Sequence, residues 1–237
     1  MENFDPIQVE DEFQWLLSPI RTAFEEIRPL GFFSWVDELK SPQQFAPVAK
    51  QIYFHSSTFP KAIGLMLSMI PVERGEVYKV VSEHAYEEAD HHLLLLDWML
   101  QQGILQNKSE INKIQPFIET SNCINIGYQY AIERDINAWM AGINGAIEYC
   151  FYHFFEKVSK KMHQLGAGHH YFDVHVGADQ YHSVMGLKHI EMGGLSAAGR
   201  DQLVRKSLNC VSLWTTMVHS WLGISVIPVF TLEGKRR

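Results

Sequence analysis

Two histidines and an aspartate in the C-terminal third of the chain have the spacing of a metal site. His175, Asp179 and His182 are separated by four and then three residues. An α-helix turns by roughly 100° per residue, so these positions fall on one narrow stripe of a helix. Imidazole and carboxylate groups that converge in this way suit a divalent transition metal. A solvated helix face is the alternative interpretation.

A glutamate and a histidine three residues apart form a second candidate pair. Glu88 and His91 have the spacing with which helices of a bundle chelate iron. Leu94, Leu95 and Trp98 continue the same stripe, which indicates that it faces the core. A buried glutamate and histidine need a polar partner or a metal, because burying them alone is costly.

Other ionisable residues lie on the same helical turns, so the sequence does not determine which carboxylate of this segment is the ligand. Glu83, His84 and Glu87 could each replace Glu88 as a ligand or hold a ligand in place. A surface position is an equally good interpretation of His84.

Glu148 stands alone among small and aromatic residues. Its helical neighbours include Gly145, Phe151 and Tyr152. A carboxylate in such a stripe is costly unless it is compensated, and a metal is the simplest compensation. The alternative is a protonated glutamate bonded to a tyrosine, and Tyr152 is kept as a candidate supporting residue.

Together these segments offer three carboxylates and three histidines toward one core. The candidate metal ligands are Glu88, His91, Glu148, His175, Asp179 and His182. Six ligands are too many for one catalytic zinc, and the sequence contains no HExxH motif. The set suits two irons with positions open for dioxygen, although manganese would also be accepted. We predict no catalytic residue beyond these ligands.

Four long helices are predicted to position the ligands. Hydrophobic periodicity, with glycines as stop signals, places them at 75–102, 133–164, 173–192 and 196–221. Shorter helices are predicted at 9–27, kinked or split at Pro19, at 48–57, at 61–70 and within 108–130, with connections at 28–47 and 228–237. Alternating strand patterns are rare, so we predict one all-α domain, 1–237, with a metal-binding core at about 75–222.

Composition narrows the class of protein. The 237 residues are 46% hydrophobic and 20% charged, which is typical of a globular chain. The formal net charge of −7 argues against nucleic acid as a partner. We expect neither a secretory signal nor a membrane span, and we expect Cys123, Cys150 and Cys210 to be buried thiols in the cytoplasm.

The ordered ligands resemble those of the haem-oxygenase-like di-iron oxidases and oxygenases. The best match is the segment YFDVHVGADQYH, which ends at His182, and a looser match surrounds Glu148. The resemblance covers roughly 83–221 and implies a seven-helix bundle on the scaffold of thiaminase II and the quinone-cofactor synthase. Some members carry a carboxylate seven positions before the histidine, where this chain has His84. Gly177 and Gly186 are expected to loosen the ligand helix.

The resemblance also implies an activity. Two Fe(II) ions and dioxygen would oxidise a small substrate bearing an amine or a carboxylate, with an external electron donor. N-oxygenation, C–C cleavage and nitrile formation are the outcomes expected, in natural product biosynthesis, with an amino acid such as a tryptophan derivative as substrate. A homodimer is expected by the same resemblance.

Two alternatives from other classes stay open. One is a metal-free enzyme similar to thiaminase II, for which Cys150 would be the candidate nucleophile. The other is a non-catalytic helical protein that binds a partner or stores metal.

Overall fold

The computed structural model describes residues 11–226, and helices make up its long elements. They are α1 (Gln14–Ile27), α2 (Gly31–Glu38), α3 (Ala46–Met69), α4 (Gly75–Glu87), α5 (His91–Gln101), α6 (Ile118–Glu133), α7 (Ile136–Ala138), α8 (Tyr149–Gln164), α9 (His170–Met185) and α10 (Ala197–Ser220). A π-helical segment, Trp139–Glu148, connects α7 to α8. Short 3₁₀ turns lie at Asp11–Phe13, Pro42–Phe45, Lys108–Lys113, Leu187–His189 and Met192–Gly194. Within 11–226 there is no β-strand, which confirms the all-α prediction.

The helices pack as a bundle around one extensive hydrophobic core. α3 packs against α6, α8 packs against α9, and α10 lies along the π-helical segment and α1. Trp98, Trp139 and Trp214 are the largest fully buried side chains of this core. α4 and α5 can be counted as one helix, and so can the stretch from α7 to α8. The described residues then contain seven helices longer than ten residues, in agreement with the predicted seven-helix bundle.

The start of the helix that carries Glu148 differs from the prediction. Arg134 adopts a left-handed conformation (φ 56°) and ends α6, so no helix runs continuously from 133. The Asp135 side chain then accepts a hydrogen bond from the Ala138 backbone N–H (2.9 Å) and caps α7. Arg134 therefore ends α6, and Asp135 caps the start of α7.

Two prolines lie inside helices that are not split at them. The helices predicted at 48–57 and 61–70 are one helix, α3, which continues through Pro60. α1 likewise continues through Pro19. Both helices bury an apolar face on either side of the proline, and this packing outweighs the roughly 3 kcal/mol that an internal proline costs.

Other boundaries need smaller corrections. The predicted connection at 28–47 contains α2, which buries two phenylalanines, and the helix predicted to reach 192 ends at Met185. Residues 9–10 of the first predicted helix and the predicted loop at 228–237 lie outside the described residues. Among residues 11–226, no helix combines the length and apolarity that crossing a membrane requires.

Candidate metal centre

The ligand stripe of α9 faces the core rather than solvent. His175, Asp179 and His182 are all buried, with 4%, 2% and 0% of their surface exposed, so the solvated-face interpretation is wrong. The His175 Nδ1–H can donate to the Tyr171 carbonyl at 2.6 Å, one turn earlier in the helix. This bond leaves Nε2 of His175 available to a metal.

Glu88 and His91 lie on either side of a helix break, which the sequence analysis did not predict. α4 ends at Glu87, α5 begins at His91, and Asp90 between them has a non-helical conformation (φ −125°). Ala89 and Asp90 are exposed, whereas Glu88 and His91 are each 5% exposed. The single helix predicted at 75–102 is therefore wrong, although both candidate ligands still face the core.

Glu148 is the last residue of the π-helical segment. All residues of this segment are buried, and Glu148 is 4% exposed. π-helices are rare and occur preferentially at functional sites. Gly142 within the segment permits the close approach of α10, because a Cβ there would lie 2.9 Å from the Cys210 sulfur. The unusual backbone is thus combined with tight packing that fixes the position of the carboxylate.

The side chains of these elements converge into three overlapping groups. In each group one potential ligand atom per residue lies within 4.8 Å of the others. The first group is Glu88, His91 and His175; the second is Glu148, Asp179 and His182; the third is His84, Glu88 and His182. All six predicted ligands take part, and His84 joins them. Glu88 and His182 each belong to two groups, so the groups form one continuous centre.

Several buried atoms of the centre have no hydrogen-bond partner. They are Nε2 of His84, Oε1 of Glu88, Oδ2 of Asp179 and Nδ1 of His182. A buried polar atom without a partner costs roughly 1–3 kcal/mol, so four in one place require an explanation. A metal ion would satisfy such imidazole nitrogens and carboxylate oxygens together, and the residues present therefore fit a metal.

Two neighbours fix the orientation of His182. Its Nε2 lies 2.6 Å from Oε2 of Glu87, while its Nδ1 lies 3.6 Å from Oε1 of Glu88. The Asn144 side-chain amide donates to the His182 carbonyl (3.1 Å) and ties the π-helical segment to α9. Glu87 therefore holds His182 from the solvent side, and Nδ1 is the nitrogen that faces the centre.

The three buried carboxylates differ in how they are expected to titrate. Burial raises the pKa of Glu148 to about 8, and it raises the pKa of Asp179 well above its usual range. Burial alone would also raise the pKa of Glu88, but a hydrogen bond and positive charge from His91 lower it overall. The contact between Glu88 and His91 (3.2 Å) therefore favours the ionised forms of both groups, whereas burial favours the protonated forms of Glu148 and Asp179, and metal binding would displace such protons.

Burial keeps most of the surrounding imidazoles neutral, which is the form that binds metals. It lowers the pKa of His175 to about 3 and that of His55 to about 4, and it also lowers the pKa of His84. His91 is the exception, because its bond to Glu88 raises its pKa despite burial.

A small cavity adjoins the centre. Its wall includes Glu88, Glu148, His175 and Asp179, together with residues of α3 and α8: Ile52, His55, Ser56, Phe59, Phe151 and Phe155. None of the residues from α3 was among the predicted site residues. His55 on the apolar stripe of that helix, four positions before Phe59, was the signal that could have revealed them.

The remaining candidates lie away from the cavity. Glu83 is exposed and bonds to Tyr181, and Tyr152 is buried with its ring 4.9 Å from that of His153. Glu83 joins no ligand group, so it is not a substitute ligand in this geometry. Gly186 lies just beyond the end of α9, where a Cβ would come into close contact with the Met140 side chain. A larger residue there would require the Met140 side chain to move.

Comparison with known proteins supports the fold and shows a family of iron-containing redox enzymes. A family described as iron-containing redox enzyme matches residues 46–215. A crystal structure of a domain of unknown function with a heme oxygenase-like fold, from Shewanella denitrificans OS217, is 18% identical, with a TM-score of 0.70 over 91% of this chain and 94% of that chain. A TenA homolog from Pseudomonas syringae pv. tomato str. DC3000 is 12% identical, with a TM-score of 0.73 over 94% and 99%. No curated protein matches the chain in sequence.

Proposed function

Because the chain belongs to the haem-oxygenase-like family of iron-containing redox enzymes, we propose that it is a di-iron oxidase or oxygenase. It would use dioxygen to oxidise a small substrate that carries an amine or a carboxylate. The observation that carries this proposal is that the first and second groups, each with carboxylate and imidazole donors, lie next to each other, with Nδ1 of His182 3.6 Å from Oε1 of Glu88. One metal would not engage both groups.

The residues of the centre supply charge and orientation. Two ferrous ions, when bound, would supply the electrons with which dioxygen is activated. The carboxylates of Glu88, Glu148 and Asp179 would offset three of the four positive charges, since the histidines are neutral when they act as ligands. Glu87 and the Tyr171 carbonyl hold the outer nitrogens of His182 and His175, which keeps each ligand nitrogen directed inward.

The cavity next to the centre is the proposed substrate site. Phe59, Phe151 and Phe155 provide an apolar wall that would exclude water and hold an apolar or aromatic group. His55 and Ser56 are the polar groups of the wall contributed by α3. We propose an aromatic amino acid as the substrate to test first, because three phenylalanine rings lie beside the centre. N-oxygenation, C–C cleavage and nitrile formation are the reactions that we propose to test.

A thiaminase-like reaction without metal is the second candidate. It would need an accessible cysteine thiolate as nucleophile. Cys150 is fully buried, and burial raises its pKa well above the usual range, so it stays a neutral thiol. This environment favours the di-iron proposal over the thiol mechanism.

Anaerobic loading with Fe(II) tests the proposal. We expect about two irons per chain and a transient visible absorption band after stopped-flow mixing with oxygenated buffer. Glu148→Ala and His182→Ala should each abolish the band, because each removes a ligand of the second group. A band that forms faster with one candidate amino acid would identify the substrate.

The matched control is His170→Ala, because His170 is an exposed histidine on the same helix as His182. It should load iron and react with oxygen like the unmodified chain. The proposal fails if the unmodified chain binds no stoichiometric iron and shows no transient band.

A further inference from the structure

His84 is a buried histidine whose Nε2 atom makes no hydrogen bond. The side chain is 1% exposed and lies on α4, one turn before Glu88. Its Nε2 is 3.3 Å from Oε1 of Glu148, yet Nε2 has no hydrogen-bond partner. The two atoms are close without the alignment that an N–H···O bond requires.

The environment of His84 matches that of a ligand. Its ring centroid lies 4.1 Å from that of His182, and Phe59 packs edge-on against it at 5.6 Å. His84 Nε2, Glu88 Oε1 and His182 Nδ1 are all buried without partners, and these three residues form the third group. A single metal ion bound by these three atoms would explain why none of them has a hydrogen-bond partner.

We propose that His84 is a seventh metal ligand. Its Nε2 atom would bind the same ion that His182 binds through Nδ1. This inference rests on the proposed function, because it assigns one more donor to the same centre. The metal position next to Glu148 and Asp179 then has two imidazoles rather than one. Its paired imidazoles are supplied by different helices, α4 and α9.

A second imidazole changes selectivity without changing charge. A neutral histidine adds a donor while the centre keeps its three carboxylates. Nitrogen donors favour iron and cobalt over manganese more strongly than oxygen donors do. His84 would therefore direct this position toward iron.

The competing explanation is that His84 only holds Glu148 by a hydrogen bond. His84→Gln separates the two roles, because a glutamine amide near the Nε2 position keeps hydrogen-bonding capacity but is a poor metal ligand. His84→Ala removes both capacities. His219→Gln is the control for replacing a buried histidine, since His219 is also 1% exposed but is bonded to the backbone of Thr215 and Phe32.

The test is anaerobic titration of the full chain with Co(II), followed by bound-metal counting and by the visible ligand-field spectrum. The unmodified chain and His219→Gln should bind two ions with the same spectrum. His84→Gln and His84→Ala should bind the second ion at least about 100-fold more weakly, with an altered spectrum for the ion that remains. The preference for Co(II) over Mn(II) should fall in both variants. Circular dichroism of the metal-free variants reports whether they fold.

The outcomes distinguish failure of the proposed role of His84 from failure of the proposed di-iron function. If His84→Gln binds two Co(II) ions with unchanged affinity and spectrum, His84 is a hydrogen-bonding residue and the inference is overturned. If the unmodified chain itself binds no stoichiometric Co(II) or Fe(II), the proposed function fails, and this inference fails with it.

Discussion

The two sides of the centre differ in what holds them without a metal. In the first group, His91 bonds to Glu88 and His175 bonds to the Tyr171 carbonyl, so hydrogen bonds orient these side chains without a metal. In the second and third groups, donor atoms of His84, Asp179 and His182 are buried with no hydrogen-bond partner. The first side is therefore pre-organised by hydrogen bonds, whereas the second side depends on a metal or on protons.

The largest expected effect follows from the residue that both sides share. Glu88→Gln should leave less than one tightly bound Co(II) per chain, because Glu88 belongs to the first and the third group. His175→Gln, which alters the first group alone, should leave about one. Each lost ligand is expected to weaken binding by at least about 100-fold, measured by metal analysis after anaerobic dialysis.

Equal metal content in these two variants would contradict a shared role for Glu88. It would mean that Glu88 serves one ion only and that the two sides do not share a bridging carboxylate. Thermal melting of the metal-free variants serves as the control for folding.

A smaller effect is expected from Glu87, which supports His182 from outside. Glu87→Ala should lower the affinity for the second ion by about 10- to 100-fold, because His182 loses the carboxylate that orients its ring. The affinity for the first ion should stay unchanged. Isothermal titration with Co(II) measures both constants in one experiment.

Glu83→Ala is the matched control, since Glu83 is an exposed carboxylate one turn earlier on α4. Equal losses in Glu83→Ala and Glu87→Ala would show that surface charge, rather than the contact with His182, controls the affinity.

The stability of the metal-free chain should fall as pH rises from about 6.5 to 8. Burial raises the pKa of Glu148 from 4.5 to about 8, so between these values the folded chain holds a proton that the unfolded chain has released. Each such acid lowers the free energy of unfolding by up to about 1.4 kcal/mol per pH unit, and the pKa of Asp179 is also raised. His175, whose pKa is lowered to about 3, is largely neutral in both states in this window and does not oppose the trend.

Urea unfolding in the presence of a chelator, at several pH values in this window, measures the slope. Glu148→Gln should make it shallower, because the titrating group is gone, while metal-loaded protein should lose it altogether. A stability that stays constant or rises with pH in the chelated, unmodified chain would contradict the raised pKa.

The sequence was most informative where the ligands lie within one regular helix. The spacing of His175, Asp179 and His182 needs only α-helical geometry, and α9 supplies it without interruption. Glu88 and His91 were identified correctly as core-facing, but the break between them depends on how α4 and α5 pack against α3 and α9. No local pattern revealed that break.

The rest of the centre depends on contacts between distant segments. The π-helical segment is stabilised where Gly142 meets Cys210 of α10, some way along the chain from either flanking helix. His55 reaches the cavity because α3 continues through Pro60, which local propensity argues against. Such features follow from tertiary packing, so single-sequence periodicity does not contain them.

The π-helical segment also determines how this chain tolerates changes in length. Each of its turns holds about one residue more than an α-helical turn, so the segment stores surplus chain. Deleting one residue there would remove part of this surplus and favour an ordinary α-helix. The flanking turns could then keep their places in the core, whereas the same deletion in a regular helix such as α9 would rotate one flank by roughly 100°. A one-residue gap at this point in an aligned sequence would therefore mark a chain whose segment is α-helical.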